Sequence, residues 1–202
     1  MVEIILVRHA STAWSGVRYC GISDPALSPS GLAEARRLAE SLAPTLAPDT
    51  RVVASPSRRA VATASAIADV ARLAGVPRLP GLELDERWRE ADVGLAEGRT
   101  FDELSVIAPG VAAALAAGQL EIDWPGGETH AALAARVASA WADLLADGRP
   151  AVVVSHAGPL MHACAIAQGR AVDRGDLIAP ATARRLELPA RSPAAAVLPS
   201  SA

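Results

Sequence analysis

The chain predicts an α/β fold, a three-layer α/β/α sandwich with a mostly parallel central sheet, and three observations predict it. Strand-like apolar runs alternate with runs of helical period along the 202 residues. Two of the apolar runs, Ile4-Ile5-Leu6-Val7 and Ala151-Val152-Val153-Val154, lack any in–out alternation, as strands covered on both faces require. Three of them end abruptly in polar groups, as parallel strands do where they meet a crevice.

The elements follow in order. Residues 2–7 form the first strand. Ser28-Pro29 supplies an N-cap with proline at the first helical position, and Leu32, Ala35, Leu38, Ala39 and Leu42 make one apolar stripe behind it. Residues 51–54 are a short strand, and Ser55-Pro56 repeats the cap-plus-proline signal for a helix over 57–74. Residues 77–98 show no clear period and read mostly as loop. Thr100-x-x-Glu103 is a capping box opening a short helix. Leu133, Val137, Trp141 and Leu144 place one face of a helix over 128–147, which Gly148-Arg149-Pro150 breaks. Residues 151–155 are another apolar strand, a helix over 159–168 follows, and 182–188 form a last, edge strand. The reading is one domain over 1–188, with a variable, cap-like stretch of loop and helices at 85–125. An Ala-, Pro- and Ser-rich tail at 189–202 is expected to be disordered.

Composition narrows the chemistry. All 19 basic side chains are arginine, and asparagine is absent too. A P-loop and Schiff-base chemistry, both of which need lysine, are thereby excluded. Four histidines without His-Glu-x-x-His or Cys-x-x-Cys spacing do not make a dedicated transition-metal site. No run approaches the length of a membrane span, and residues 1–8 carry no secretory pattern. Cys20 and Cys164 read as two reduced thiols of a cytoplasmic protein. A net charge of −3 gives no electrostatic footprint for nucleic acid. Anions must be held by Arg, His and backbone N–H groups.

The three strand ends supply those groups. Val7 leads to Arg8-His9; Ala54 leads through Ser55-Pro56-Ser57 to Arg58-Arg59; Val154-Ser155 leads to His156-Ala157-Gly158. In a parallel sheet these ends share one edge and converge. The set suits a phosphoryl group. Forked guanidinium groups hold its oxygens, each close charge pair being worth roughly 4 kcal/mol at an effective dielectric near 20. A neutral imidazole attacks phosphorus, and flanking arginines disfavour its protonation.

The same residues resemble a known family. Arg8-His9-Ala10-Ser11-Thr12 is similar to the Arg-His-Gly-x-Thr signature of the histidine phosphatase superfamily, whose fold is phosphoglycerate mutase-like. Further segments resemble the family's motifs in order. They are Arg18-x-x-Gly21-x-x-Asp24-Pro25-x-Leu27-Ser28-x-x-Gly31, Ser55-Pro56-x-x-Arg59-Ala60-x-x-Thr63-Ala64 and Glu90-x-Asp92-x-Gly94-x-x-Glu97-Gly98. Pro125-Gly126-Gly127-Glu128-Thr129 with Arg136-Val137, and Val154-Ser155-His156-Ala157-Gly158, complete the set. The resemblance implies that His9 becomes phosphohistidine and that Arg8, Arg59 and His156 bind the phosphoryl group, with the Ala157 N–H at a helix start as a further donor. It implies that Glu90 is the acid that protonates the leaving group and then the base that activates water. Glu86 and Asp92 compete for that acid role. Arg18 and Ser15 are candidate phosphate or substrate contacts, Ser15 standing where the family often has Asn. Arg58 reads as a solvated helix residue. His130 and His162 match no motif position, although His130, near a helix start, stands where it could approach substrate. Ala10 and Ala157 replace glycines common after the two histidines, which is tolerable where φ is negative.

The expectation is therefore a phosphomonoesterase acting on small-molecule phosphate esters through a phosphohistidine, without metal or other cofactor. Partners are the phosphate-ester substrate alone, with no nucleic acid and no membrane, and a homodimer stays open. Two rivals are a phosphoglycerate mutase and a non-catalytic phospholigand-binding module. Against the mutase, residues 99–125 are a short alanine-rich stretch lacking the lysine- and tyrosine-bearing segments of mutases. Against the module, all five catalytic positions are filled. The alcohol half stays open among sugar phosphates, phosphoglycerate derivatives and α-ribazole phosphate. With one Phe and one Tyr, the rim is expected to rely on Trp, Arg and small aliphatics.

Overall fold

Four parallel strands and one antiparallel edge strand make the sheet. The computed structural model describes residues 1–75 and 81–189. Its strands are β1 (Val2–Arg8), β2 (Arg51–Ala54), β3 (Glu83–Leu84), β4 (Ala151–Ser155) and β5 (Ala183–Leu188). Their order is β3-β2-β4-β1-β5. β1, β2, β3 and β4 run parallel, and β5 pairs antiparallel with β1 at the edge.

The helices are α1 (Pro29–Leu42), α2 (Arg58–Leu73), α3 (Phe101–Ile107), α4 (Pro109–Ala116), α5 (His130–Asp147) and α6 (Ala157–Gln168). Successive strand residues point to opposite faces, so β1 feeds two cores at once. Ile5 and Val7 pack with Val152 and Val154 against Leu38 and Leu42 of α1 and Ile67 of α2. Ile4 and Leu6 pack with Val153 against Val137 and Trp141 of α5 and Leu160 of α6. That double cover is why β1 and β4 read as unbroken apolar runs. A third, small cluster joins Val93, Ala96 and Leu104 to Tyr19, Leu115 and Trp124, and holds the stretch around α3 and α4 together. Among the described residues no helix is long and apolar enough to cross a membrane.

Most expected elements lie within a residue or two of their predicted bounds, and the Thr100–Glu103 capping box forms both of its reciprocal bonds. Four details differ. Leu32 is exposed, and Gly31 takes its place on the buried stripe of α1. A Cβ at Gly31 would lie 1.9 Å from the Ser11 carbonyl oxygen, so the helix starts where only glycine fits. The second helix begins at Arg58 with Ser57 as N-cap, not at the Ser55-Pro56 pair, and neither serine caps it with a side-chain bond. The predicted loop at 77–98 contains β3 and two single 3-10 turns, Glu86–Trp88 and Gly94–Ala96. Helix α6 starts two residues earlier than predicted, directly after His156. Residues 76–80, and the tail from residue 190 onward for which disorder is expected, lie outside the described residues.

Candidate active site

The three polar strand ends leave the sheet side by side, because β4 lies between β1 and β2. Arg8 pairs with Ser155, and Ala54 with Val154, so Ser55 stands level with Ser155 and Arg8. The ladder extends one step past the strands: the His9 N–H donates to the Ser155 carbonyl at 2.9 Å, and the Ser55 N–H to the Val154 carbonyl at 3.0 Å. His9 and His156 follow directly, their ring centroids 5.0 Å apart and edge-on.

His9 Nδ1 lies 2.8 Å from the Ala10 carbonyl oxygen. A carbonyl only accepts, so Nδ1 carries the proton and Nε2 keeps its lone pair. The turn is tied in place: the Ala10 N–H donates to Thr63 Oγ1, which donates to the Arg59 carbonyl. Burial depresses the His9 pKa to about 3, against the opposing bond to the Ala10 carbonyl and with the Arg59 and Arg8 charges pushing the same way as burial. The imidazole is neutral at neutral pH. His156 is fully buried and its pKa lies well below the ordinary value, again chiefly through burial. Its Nε2 is 2.8 Å from Ser55 Oγ and 3.2 Å from Ser57 Oγ. Its Nδ1 has no protein partner among the described residues.

Arg59, on the first turn of α2, is buried, and its guanidinium donates to the carbonyls of Ser23 at 2.7 Å and Gly21 at 3.1 Å. Arg8 donates through Nη1 to the Ile178 carbonyl at 3.1 Å, while its buried Nε is unpartnered among the described residues. Glu90 comes from the loop after β3. Its Oε1 accepts from the N–H groups of Ala91 and Gly158, each at 3.1 Å. A Cβ at Gly158 would lie 2.6 Å from that oxygen, so glycine at the start of α6 is what lets the carboxyl approach. Burial raises the Glu90 pKa, with the two N–H bonds and the Arg8 and Arg59 charges opposing.

Arg8, His9, Arg59 and Glu90 line one cavity of about 440 Å³. His156 stands behind that wall, bordering a narrow recess it shares with Arg59 and Glu90. Of the three competing acids only Glu90 faces the cavity. Glu86 is exposed and paired with Arg89, and Asp92 accepts from the Gly94 N–H. Ser15 and Ala157 line the cavity; the Ser15 hydroxyl accepts from the Thr12 N–H at 2.9 Å. Neither Ala10 nor Ala157 has a positive φ, so both methyl groups fit without backbone strain. Arg18 reaches the rim but spends its guanidinium on the Gly98 carbonyl at 2.7 Å, with Glu103 at 3.4 Å. Arg58 is exposed, as expected of a solvated helix residue. His130 lines the cavity and His162 packs against it, ring centroids 4.8 Å apart. Cys20 is also on the wall, and burial pushes its thiol up to about 11. Among the described residues no three His, Cys, Asp or Glu side chains group as metal ligands would.

Four supporting residues carried no role in the sequence reading. Glu97 accepts from the N–H groups of Gly21, Ile22 and Ser23, bracing the segment whose carbonyls hold Arg59. Arg136, ion-paired with Glu128, donates to the carbonyls of Arg87, Arg89 and Glu90 and so fixes the backbone that presents the acid. Ser55 and Ser57 hold the His156 ring. The first two sit inside quoted motifs, where their spacing gave no sign of the backbone groups they bind.

The fold matches those of known proteins. Residues 4–195 match the model of the histidine phosphatase superfamily, branch 1. The chain belongs to that superfamily. A probable phosphoglycerate mutase, GpmB, of Enterobacter sp. (strain 638) is 36% identical over 77% of this chain and 70% of its own length. Among solved structures, a mycobacterial glucosyl-3-phosphoglycerate phosphatase in complex with VO3 superposes with a TM-score of 0.79. It is 26% identical, covering 93% of this chain and 91% of that one. TTHB049 of Thermus thermophilus gives a TM-score of 0.70 at 29% identity, covering 94% of this chain and 95% of that one.

Proposed function

We propose that this chain is a phosphomonoesterase that hydrolyses small-molecule phosphate esters through a phosphohistidine on His9, with no metal in the mechanism. The observation that carries the reading is the His9 imidazole, neutral by burial and held by Ala10 so that Nε2 keeps a free lone pair beside two arginines. Nε2 attacks phosphorus as the ester P–O bond breaks, and Glu90, its pKa raised by burial, gives its proton to the departing alkoxide. Arg8 and Arg59 hold the phosphoryl oxygens, with Ser15 and the Ala157 N–H bordering the same space and His156 approaching from behind His9. Water then attacks the phosphohistidine, Glu90 takes its proton, the N–P bond breaks and inorganic phosphate leaves. Throughout, the Nδ1 proton stays with the Ala10 carbonyl.

Wild-type protein should release phosphate from p-nitrophenyl phosphate and form an acid-labile phosphoenzyme, and His9→Ala should do neither. Full turnover in His9→Ala would sink the reading. The GpmB relatives make a mutase the second reading. It is tested with 3-phosphoglycerate and a 2,3-bisphosphoglycerate primer: fast isomerisation without phosphate release would replace hydrolysis with phosphoryl shuttling.

A further inference from the structure

Granting the phosphatase reading, we infer that the alcohol half of the substrate is an apolar alkyl or aryl body, neither a polyol nor a second anion. The cavity of about 440 Å³ is far larger than the four groups at its base, and it falls among drug-sized ligand sites. Beyond those groups the wall turns apolar. Helix α4 and the segment after it contribute Leu115, Leu120, Ile122 and Trp124, and Met161 and Leu177 also line it. Ile122 and Met161 are buried and Leu115, Leu120 and Trp124 are partly buried, so these five form a built surface, while Leu177 is exposed.

Charge points the same way. Besides Arg8 and Arg59, Arg18 is the other arginine on the described wall; its Nη1 is shared between the Gly98 carbonyl and the Glu103 carboxylate, which offsets its charge. A phosphoglycerate carboxylate or second phosphate moved against the leucines would lose its water with no cation beside it, the one further arginine being already ion-paired. A sugar would meet the same difficulty for each hydroxyl turned to the leucines. Most of the other polar side chains on the wall are already committed: Ser15 accepts from the Thr12 N–H, Arg18 pairs with Glu103 and His130 faces Glu121 at 3.4 Å, which leaves Tyr19 and Gln119. A chain or ring that sheds water against Leu115, Ile122 and Trp124 gains from every carbon it buries.

The test uses esters whose leaving groups are matched primary alkoxides. Along ethyl, butyl and hexyl phosphate, kcat/KM should rise about fourfold per methylene. Hexyl phosphate should exceed glycerol 3-phosphate and 3-phosphoglycerate by tens of fold. A flat or falling series, or preference for either polar ester, overturns the inference while leaving the phosphatase reading intact. Leu120→Arg should flatten the series and improve 3-phosphoglycerate, and should that variant misfold, Leu120→Ala should still give a shallower slope. An unchanged slope in the folded variant overturns the inference. If wild type releases phosphate from no ester, the phosphatase reading fails, and calorimetry of the same alkyl phosphates with His9→Ala still decides the point: Kd should fall about fourfold per methylene, and a flat series refutes it.

Discussion

Ser55→Ala removes the hydroxyl nearest the His156 ring and should lower kcat/KM about tenfold with the fold intact. Ser55 is fully buried, its Oγ 2.8 Å from His156 Nε2, and the other described group on that nitrogen is Ser57 Oγ at 3.2 Å. For His156 to donate to a phosphoryl oxygen its proton must sit on the unpartnered Nδ1, so Nε2 must accept. Ser55 Oγ donates to Ser57 Oγ at 3.2 Å, which leaves the Ser57 hydroxyl to donate to Nε2, and the serine pair sets this tautomer. Deleting the Ser55 hydroxyl forfeits its bond to Ser57, a net hydrogen bond of about 1 kcal/mol, and frees Ser57 from the orientation that aims its proton at the buried nitrogen, whose loss would cost about 1–3 kcal/mol if complete. A loss of about 1–2 kcal/mol in transition-state stabilisation is on the order of tenfold. Steady-state kinetics on p-nitrophenyl phosphate, with urea unfolding alongside, separates the two effects. The kcat should fall more than KM changes, Ser55→Thr should restore it, and Ser55→Ala/Ser57→Ala should approach His156→Ala. Folded Ser55→Ala with kcat/KM within twofold of wild type would refute the tautomer argument.

Three further outcomes follow from the same geometry. Glu97→Ala should lower stability by about 2–3 kcal/mol in urea unfolding, because a carboxylate that accepts from three backbone N–H groups is lost, and activity should fall as the carbonyls holding Arg59 loosen. Gly158→Ala should displace Glu90 and slow alkyl phosphates at least tenfold more than p-nitrophenyl phosphate, whose good leaving group needs little protonation; equal losses on both would count against Glu90 as the acid. Because the folded His9 pKa is about 3 against about 6.5 unfolded, the unfolded state binds the extra proton between those values, and stability falls with falling pH across that window. From pH 7 to pH 5 the loss for His9 is about 2 kcal/mol, so His9→Asn should lose that much less in paired urea melts. Glu90, with its raised pKa, acts in the opposite sense, its contribution being present at low pH and lost as pH rises.

Arg8, His9 and His156 were legible because each stands at or directly after the end of an apolar strand, and Arg59 because a short turn after β2 sets it on the first turn of α2; adjacent parallel strands bring these positions to one edge. Glu90 was legible only through its motif, since its loop has no period to read. Ser55 shows where local signals mislead: Ser-Pro announces a helix cap, yet the hydroxyl is claimed by an imidazole 101 residues away, and the helix starts without it. Gly31 shows the same for packing. A stripe count favours Leu32, but the close pass of the Ser11 carbonyl admits no side chain at Gly31 and turns Leu32 outward. Glu97 and Arg136 bind backbone carbonyls and amides far away in sequence, contacts that leave no trace in side-chain patterning.

One physical term serves both halves of the proposed reaction. Burial drives His9 and Glu90 toward their neutral forms, one by lowering its pKa and the other by raising it, and those are the forms a nucleophilic imidazole and a proton-donating acid require. The arginines act oppositely on the two: they reinforce the neutrality of His9 and pull Glu90 back toward its carboxylate. In the proposed reaction a phosphate dianion seated on Arg8 and Arg59 would offset that pull and favour the protonated Glu90. Binding the phosphoryl group thus arms the acid at the moment a leaving group is present to receive its proton. After transfer, the alcohol departs, water enters and Glu90 is left as the carboxylate that accepts its proton. In that proposed reaction the arginines that hold the phosphate would also set the order in which Glu90 acts.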